Sequence, residues 1–300
     1  MKITDILLLL LTMVIWGVNF VAIKLGLRYM PPFTLTAARF LLVVFPAIFF
    51  VKKPDIPLRK LAIYGLVMFA AQFTCMFFSI HAGLSAGLAS LVMQIQAFFT
   101  IGFAMLIFKE KPQLFQLVGA AVAFCGIGVV GMHIGGEVTW LGLMFAMMAC
   151  MCWGAGNLMT KGFGKVSAFP VIIWGSLFAA IPMVILALIF DRNELHLSNF
   201  TNPQLPLLFA VGYNAYVSTF IAYTIWSRML ARYPAALVAP FTLLVPVFGM
   251  ASTAVFLDET YYMWKFTATL LILLGLLVNQ FGGKAKSWLN TRLKFAPAPD

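Results

Sequence analysis

Few side chains in this 300-residue chain are equipped for chemistry, and their positions say which kind. The nine acids, Asp5, Asp55, Glu110, Glu137, Asp191, Glu194, Asp258, Glu259 and Asp300, fall at the ends of long apolar runs, between them or at the termini. His81 and His133 sit at run ends and His196 between runs. Carriers that couple to protons or cations commonly titrate a group deep inside such a run, so that coupling has no evident agent here. Acids and histidines also fail to gather as general acid–base catalysis or a metal site would require, which argues against an enzyme and implies neither cofactor nor metal. Arg39 stands apart, a cation about six residues inside an apolar run and roughly 9 Å of helical rise from its end. Two roles are open to it. Its head could reach back to the lipid headgroups, or it could face a cavity and grip a carboxylate through paired hydrogen bonds.

The other polar groups within the runs are uncharged. Asn19, Gln72, Gln94, Gln96, Asn157 and Asn214 carry amides, and Tyr223, Ser218, Thr219 and Thr242 carry hydroxyls. Trp16 precedes Asn19 by three positions and Trp153 precedes Asn157 by four, so on helices each pair shares a face. Such groups around one cavity would suit a small zwitterionic or neutral solute. The competing reading has the amides joining neighbouring helices, a common role in bundles. Gln94 and Gln96 are two apart and should point in roughly opposite directions, leaving at most one for a cavity. The expected binding set is Trp16, Asn19, Arg39, Gln72, Gln94, Gln96, Trp153, Asn157, Asn214 and Tyr223. Pro240 and Pro246, followed by Gly249, interrupt a late run and form the expected hinge.

The elements that hold these groups follow from composition. Apolar residues make up 63% of the chain and charged residues 10%, and the mean hydropathy is +0.99, which points to lipid as the solvent. Runs near 4–24, 33–51, 61–80, 84–107, 114–132, 138–160, 168–190, 206–227, 236–257 and 264–282 approach the ~20 residues needed to cross hydrocarbon. They are continuous, so they read as helices and not as alternating barrel strands. The fold class is all-α and integral to the membrane, with ten spans. No small-residue cleavage site follows the first run, which therefore reads as a span and not a signal peptide. The net charge of +11 is scattered over short loops, unlike a nucleic-acid surface. With the N-terminus inside, most basic residues, among them Lys52, Lys53, Arg59, Lys60, Lys109, Arg228 and Arg232, lie inside, against Lys24, Arg28, Arg192 and Lys265 outside. That distribution places both termini in the cytoplasm. Cys75, Cys125, Cys150 and Cys152 all lie within runs, out of reach of an extracellular disulfide.

The chain also repeats itself. Trp16-Gly17 with Lys24 recurs as Trp153-Gly154 with Lys161, and residues 87–110 match 236–259 at a displacement that also carries Gly126 onto Gly275. The expected units are 1–137, 138–283 and a basic cytoplasmic tail, 284–300. Five spans per unit is an odd number, so the second unit enters the membrane inverted. Inverted repeats recur in secondary transporters, where they expose one midplane site to each side in turn.

Several of these residues carry a likeness to a known family. Trp16-Gly17-x-Asn19-Phe20 with Lys24, Pro31-Pro32 leading to Ala38-Arg39-Phe40, the run AGLASLVMQIQAFFT from Ala86 to Thr100, Lys109-Glu110, and Leu244-Val245-Pro246-Val247 before Asp258-Glu259 resemble the EamA branch of the drug/metabolite transporter superfamily. The run from Ala86 looks especially like that of bacterial members exporting O-acetylserine and cysteine. The resemblance implies a ten-helix basket in the bacterial inner membrane that exports small amino acids or related metabolites by alternating access. Its partners would be a small solute and membrane lipid, with no nucleic acid. An exporter of drugs with the same fold is the alternative, disfavoured for cations by the missing midplane acid. An enzyme acting on lipid, or a purely structural membrane protein, ranks behind both.

Overall fold

In the computed structural model, residues 1–109, 112–164, 166–193, 204–233 and 238–294 are described. Glu110, Glu194, His196 and residues 295–300 of the expected tail lie outside them. The described residues form helices α1 (Ile3–Gly26), α2 (Pro32–Val44), α3 (Leu58–His81), α4 (Ala86–Ile107), α5 (Leu114–Met132), α6 (Trp140–Lys161), α7 (Ala168–Phe190), α8 (Leu205–Trp226), α9 (Phe241–Leu257) and α10 (Met263–Lys294). No strand occurs among them beyond an isolated bridge between Gly135 and Val138. Apolar side chains such as Leu106, Leu188, Val255 and Phe266 point away from the bundle and are exposed, an arrangement that hydrocarbon accepts and water penalises.

Nine described helices, α2 counted with its extension to Phe49, are long and apolar enough to cross a membrane, and α9 is shorter. The sequence anticipates that run from 236, a start that lies outside the described residues. In the structure, a 3-10 stretch over Ala239–Leu244 precedes the α-helix Val245–Leu257. Pro240 lies in that stretch and Pro246 in the first α-helical turn, where a missing N–H is least costly. At the other extreme, α10 continues as helix through Lys294, past the expected start of the tail at 284.

Two helices widen midway. The backbone is π-helical over Gly65–Ala71 in α3 and over Tyr213–Ile221 in α8. Pairs of helices meet through glycine. A β-carbon on Gly17 of α1 would lie 2.6 Å from Phe248 Cβ of α9, and one on Gly154 of α6 would lie 2.9 Å from Thr100 N of α4. The pairs α3 with α7, through Gly65 and Gly175, and α5 with α10, through Gly119 and Gly275, approach equally closely. Small residues let helix backbones approach where there is no hydrophobic drive between helices.

Polar contacts fasten the end of the bundle at which α2, α4, α6 and α10 begin. The Glu259 carboxylate accepts from the backbone N–H groups of Ala86 (2.8 Å) and Gly87 (3.0 Å) at the start of α4. Lys265, only 1% exposed, pairs with Glu137. Asp191 Oδ2 accepts from both Thr34 N and Thr34 Oγ1 at 2.7 Å. At the opposite end, Asp5 pairs with Arg232 at 3.3 Å and accepts from the Tyr233 hydroxyl.

Candidate functional site

An internal cavity of about 650 Å³ lies among α1, α2, α3, α4, α6, α7, α8, α9 and α10. It reaches the end of the bundle where α6 gives way to α7, being lined there by Thr160, Phe163, Gly164, Val166 and Ala168. Every residue of the expected binding set lines it except Asn214. Trp16 and Asn19 come together as their shared face implies, and so do Trp153 and Asn157. Trp16, Tyr223 and Trp226 make an aromatic wall, with ring centroids 5.3 and 5.4 Å from that of Trp16.

Gln94 and Gln96 depart from the sequence reading, since both line the cavity. Between them α4 tightens into a 3-10 turn over Met93–Ile95. Three residues per turn leave positions two apart separated by about 120°, instead of the ~160° of an α-helix.

Arg39 is 1% exposed and lines the cavity, so its head does not reach back along the lipid-facing surface. Nη1 donates to Asn214 Oδ1 at 2.9 Å and Nη2 to Thr219 Oγ1 at 3.0 Å. The guanidinium carbon sits 3.8 Å from the centroid of the Phe73 ring, in the range of cation–π attraction. Asn214 therefore stands behind Arg39. Asn214 and Thr219 are five apart and face one guanidinium because α8 is π-helical there, with Thr219 Oγ1 also donating to Asn214 O at 2.9 Å.

The cavity's chemistry is set by what is charged and what lacks a partner. Arg39 is the only charged residue among the described residues lining it. Arg39 Nε, Asn19 Oδ1, Gln72 Oε1 and Gln96 Oε1 are buried without a hydrogen-bond partner, which is costly unless a guest supplies one. Asn157 Nδ2 donates to Thr100 Oγ1 at 3.3 Å across α6 and α4, so for that amide the helix-joining role anticipated from sequence is realised. Sequence reasoning missed Thr100, Trp226 and the thioethers of Met68, Met76 and Met93, which also line the cavity. Thr100 follows Gln96 by four and could have been found on that ground. The methionines carry no such signal. Of the hinge candidates, Gly249 is packed so closely that a β-carbon there would lie 2.5 Å from Ser90 Oγ. Among the described residues no three His, Cys, Asp or Glu side chains gather as metal ligands.

This architecture has relatives. Residues 3–132 and 140–280 each match the EamA-like transporter family. An Escherichia coli K12 protein named "Probable amino-acid metabolite efflux pump" is 41% identical over 93% of this chain and 95% of its own. A Salmonella typhimurium protein of the same name is 39% identical over the same shares. A solved crystal structure with 17% identity aligns over 93% of this chain and 96% of its own at a TM-score of 0.65, a likeness of fold alone. With two family matches that together span most of its length, the chain belongs to the EamA-like transporter family.

Proposed function

We propose that this chain exports small amino acids or related metabolites, of the size and polarity of cysteine and O-acetylserine, by alternating access to the cavity. The observation that carries the reading is a central cavity lined from both family-matched segments and furnished with unpartnered polar atoms. The names of the Escherichia coli and Salmonella relatives agree with it. Export of cationic drugs is disfavoured, because a lining whose one charge is positive repels them.

Ten spans in two inverted units, 1–137 and 138–283, are part of the proposal. Its support is that contacts made between the two units recur with the units' roles exchanged. Gly17 meets Phe248 and Gly249, while Gly154 meets Phe99 and Thr100; the displacements read from the sequence carry the first contact onto the second. Gly275 meets Gly119 and Ala123, and Gly126 meets Ala268 and Ile272, by the same rule. The π-helical stretches of α3 and α8 also correspond. With both termini in the cytoplasm of a bacterial inner membrane, the end fastened by Glu259, Lys265 and Asp191 is the outer one and the cavity opens inward. Pro240, Pro246 and Gly249 are proposed to flex as the two ends exchange.

The test is efflux of labelled cysteine and O-acetylserine from proteoliposomes, with and without an imposed proton gradient. Efflux of either supports the reading and reports its coupling. Tight vesicles that release neither count against these solutes.

A further inference from the structure

The cavity lining combines one fixed cation with several neutral acceptors. The cation is the Arg39 guanidinium, its two terminal nitrogens held by Asn214 and Thr219 and its Nε left without a partner. Ala210 O accepts from Asn214 Nδ2 at 2.8 Å, so the amide that orients the guanidinium is itself fixed. Taking such a cation out of water is expensive, and among the described residues no carboxylate pairs with it. Phe73 and two neutral acceptors offset only part of that cost. Elsewhere on the lining, Asn19 Oδ1, Gln72 Oε1 and Gln96 Oε1 are acceptors without donors. A fixed cation with a free N–H and a set of free carbonyl oxygens together describe the complement of one ligand, a carboxylate joined to an ammonium.

We infer that Arg39 is a carboxylate anchor, with Asn19, Gln72 and Gln96 receiving the ammonium, so that the cavity selects α-amino acids over the amines left by removing their carboxylate. This rests on the exporter reading above and adds to it a charge rule and an orientation. Asn214 and Thr219 are positioning residues. They aim the guanidinium so that the Nε edge, which carries the unused N–H, remains for the solute. The apolar remainder of the solute meets Met68, Met76 and Met93, whose flexible thioethers adapt to different shapes. The site is therefore strict about the charged head and permissive about the side chain.

The experiment compares three related thiols in the unaltered protein. Cysteine carries both charges, 3-mercaptopropionate only the carboxylate and cysteamine only the ammonium. Binding is read from tryptophan fluorescence, since Trp16, Trp153 and Trp226 line the cavity, and from competition with labelled cysteine efflux. Cysteamine is expected to bind about 10- to 100-fold more weakly than cysteine, the range produced by losing a hydrogen bond to a charged partner. 3-Mercaptopropionate is expected to fall between them. Arg39→Gln should abolish the discrimination between cysteine and cysteamine, a ratio that loss of folded protein alone does not change. Arg39→Lys should retain part of it, as a point charge without the fork. Cysteamine binding as tightly as cysteine overturns the anchor while leaving the exporter reading in place. Failure of all three thiols to bind overturns the anchor together with the amino-acid reading of the cavity.

Discussion

The contact between Glu259 and the start of α4 allows a quantitative test of how one end of the bundle is held shut. Glu259→Ala removes two charge-assisted hydrogen bonds, to Ala86 N at 2.8 Å and Gly87 N at 3.0 Å, and an anion at a helix N-terminus. A hydrogen bond to a charged group contributes about 1.5–3 kcal/mol and the dipole about 0.3–1. Glu259 is only half-buried, so solvent replaces part of this and the sum falls to about 2–4 kcal/mol. If the opposing conformation lacks the contact, its population rises about 30- to 1,000-fold. Ala86 is fully buried in the closed arrangement. An Ala86→Cys probe should therefore react with a membrane-impermeant maleimide much faster when Glu259 is alanine, measured above the background of the native cysteines. An unchanged rate in protein with unaltered tryptophan fluorescence would sink the idea that this carboxylate holds the end closed.

Five further substitutions probe the packing and the buried polar groups, each read by thermal melting in detergent. Glu137→Ala strands the Lys265 ammonium, which is 1% exposed, and should cost about 3 kcal/mol, the low end for a broken buried pair because Glu137 is itself partly exposed; Lys265→Met should be nearly neutral. Gly17→Ala puts a methyl 2.6 Å from Phe248 Cβ and 2.8 Å from Gly249 N and should destabilise by about 1–3 kcal/mol. Gly102→Ala, with nothing within 4 Å, should be neutral or slightly stabilising. Asn214→Ala deprives Arg39 Nη1 of its acceptor and should lower stability by about 1–3 kcal/mol while also weakening cysteine binding in the fluorescence titration.

Much of this arrangement can be read from the sequence because lipid imposes simple rules. A continuous apolar run of sufficient length must be a helix, so the spans emerge with small errors at their ends. Polar residues are rare enough inside such runs that nearly all those selected prove to line one cavity. The reading weakens wherever the helix departs from 3.6 residues per turn. The 3-10 turn at Met93–Ile95 brings Gln94 and Gln96 to the same cavity, and the π-helical stretch of α8 turns Asn214 towards Arg39 instead of the open space. Neither irregularity has a signature in the residues themselves. The acids are legible only as end residues; that Glu259 caps α4, Glu137 holds Lys265 and Asp191 ties α7 to α2 depends on contacts between distant segments.

Among the described residues the one charged side chain lining the cavity is a guanidinium, so on the proposed reading the charge that changes sides with the solute is the solute's own. Each unit of net charge carried across exchanges about 2.3 kcal/mol with the field per 100 mV. A zwitterion has no net charge, so its own passage requires no electrical work, and in the absence of a coupled ion its direction would follow the ratio of concentrations on the two sides. An uncoupled carrier of such a solute would act as an overflow, draining a pool that has risen above its surroundings and falling idle as the two levels meet.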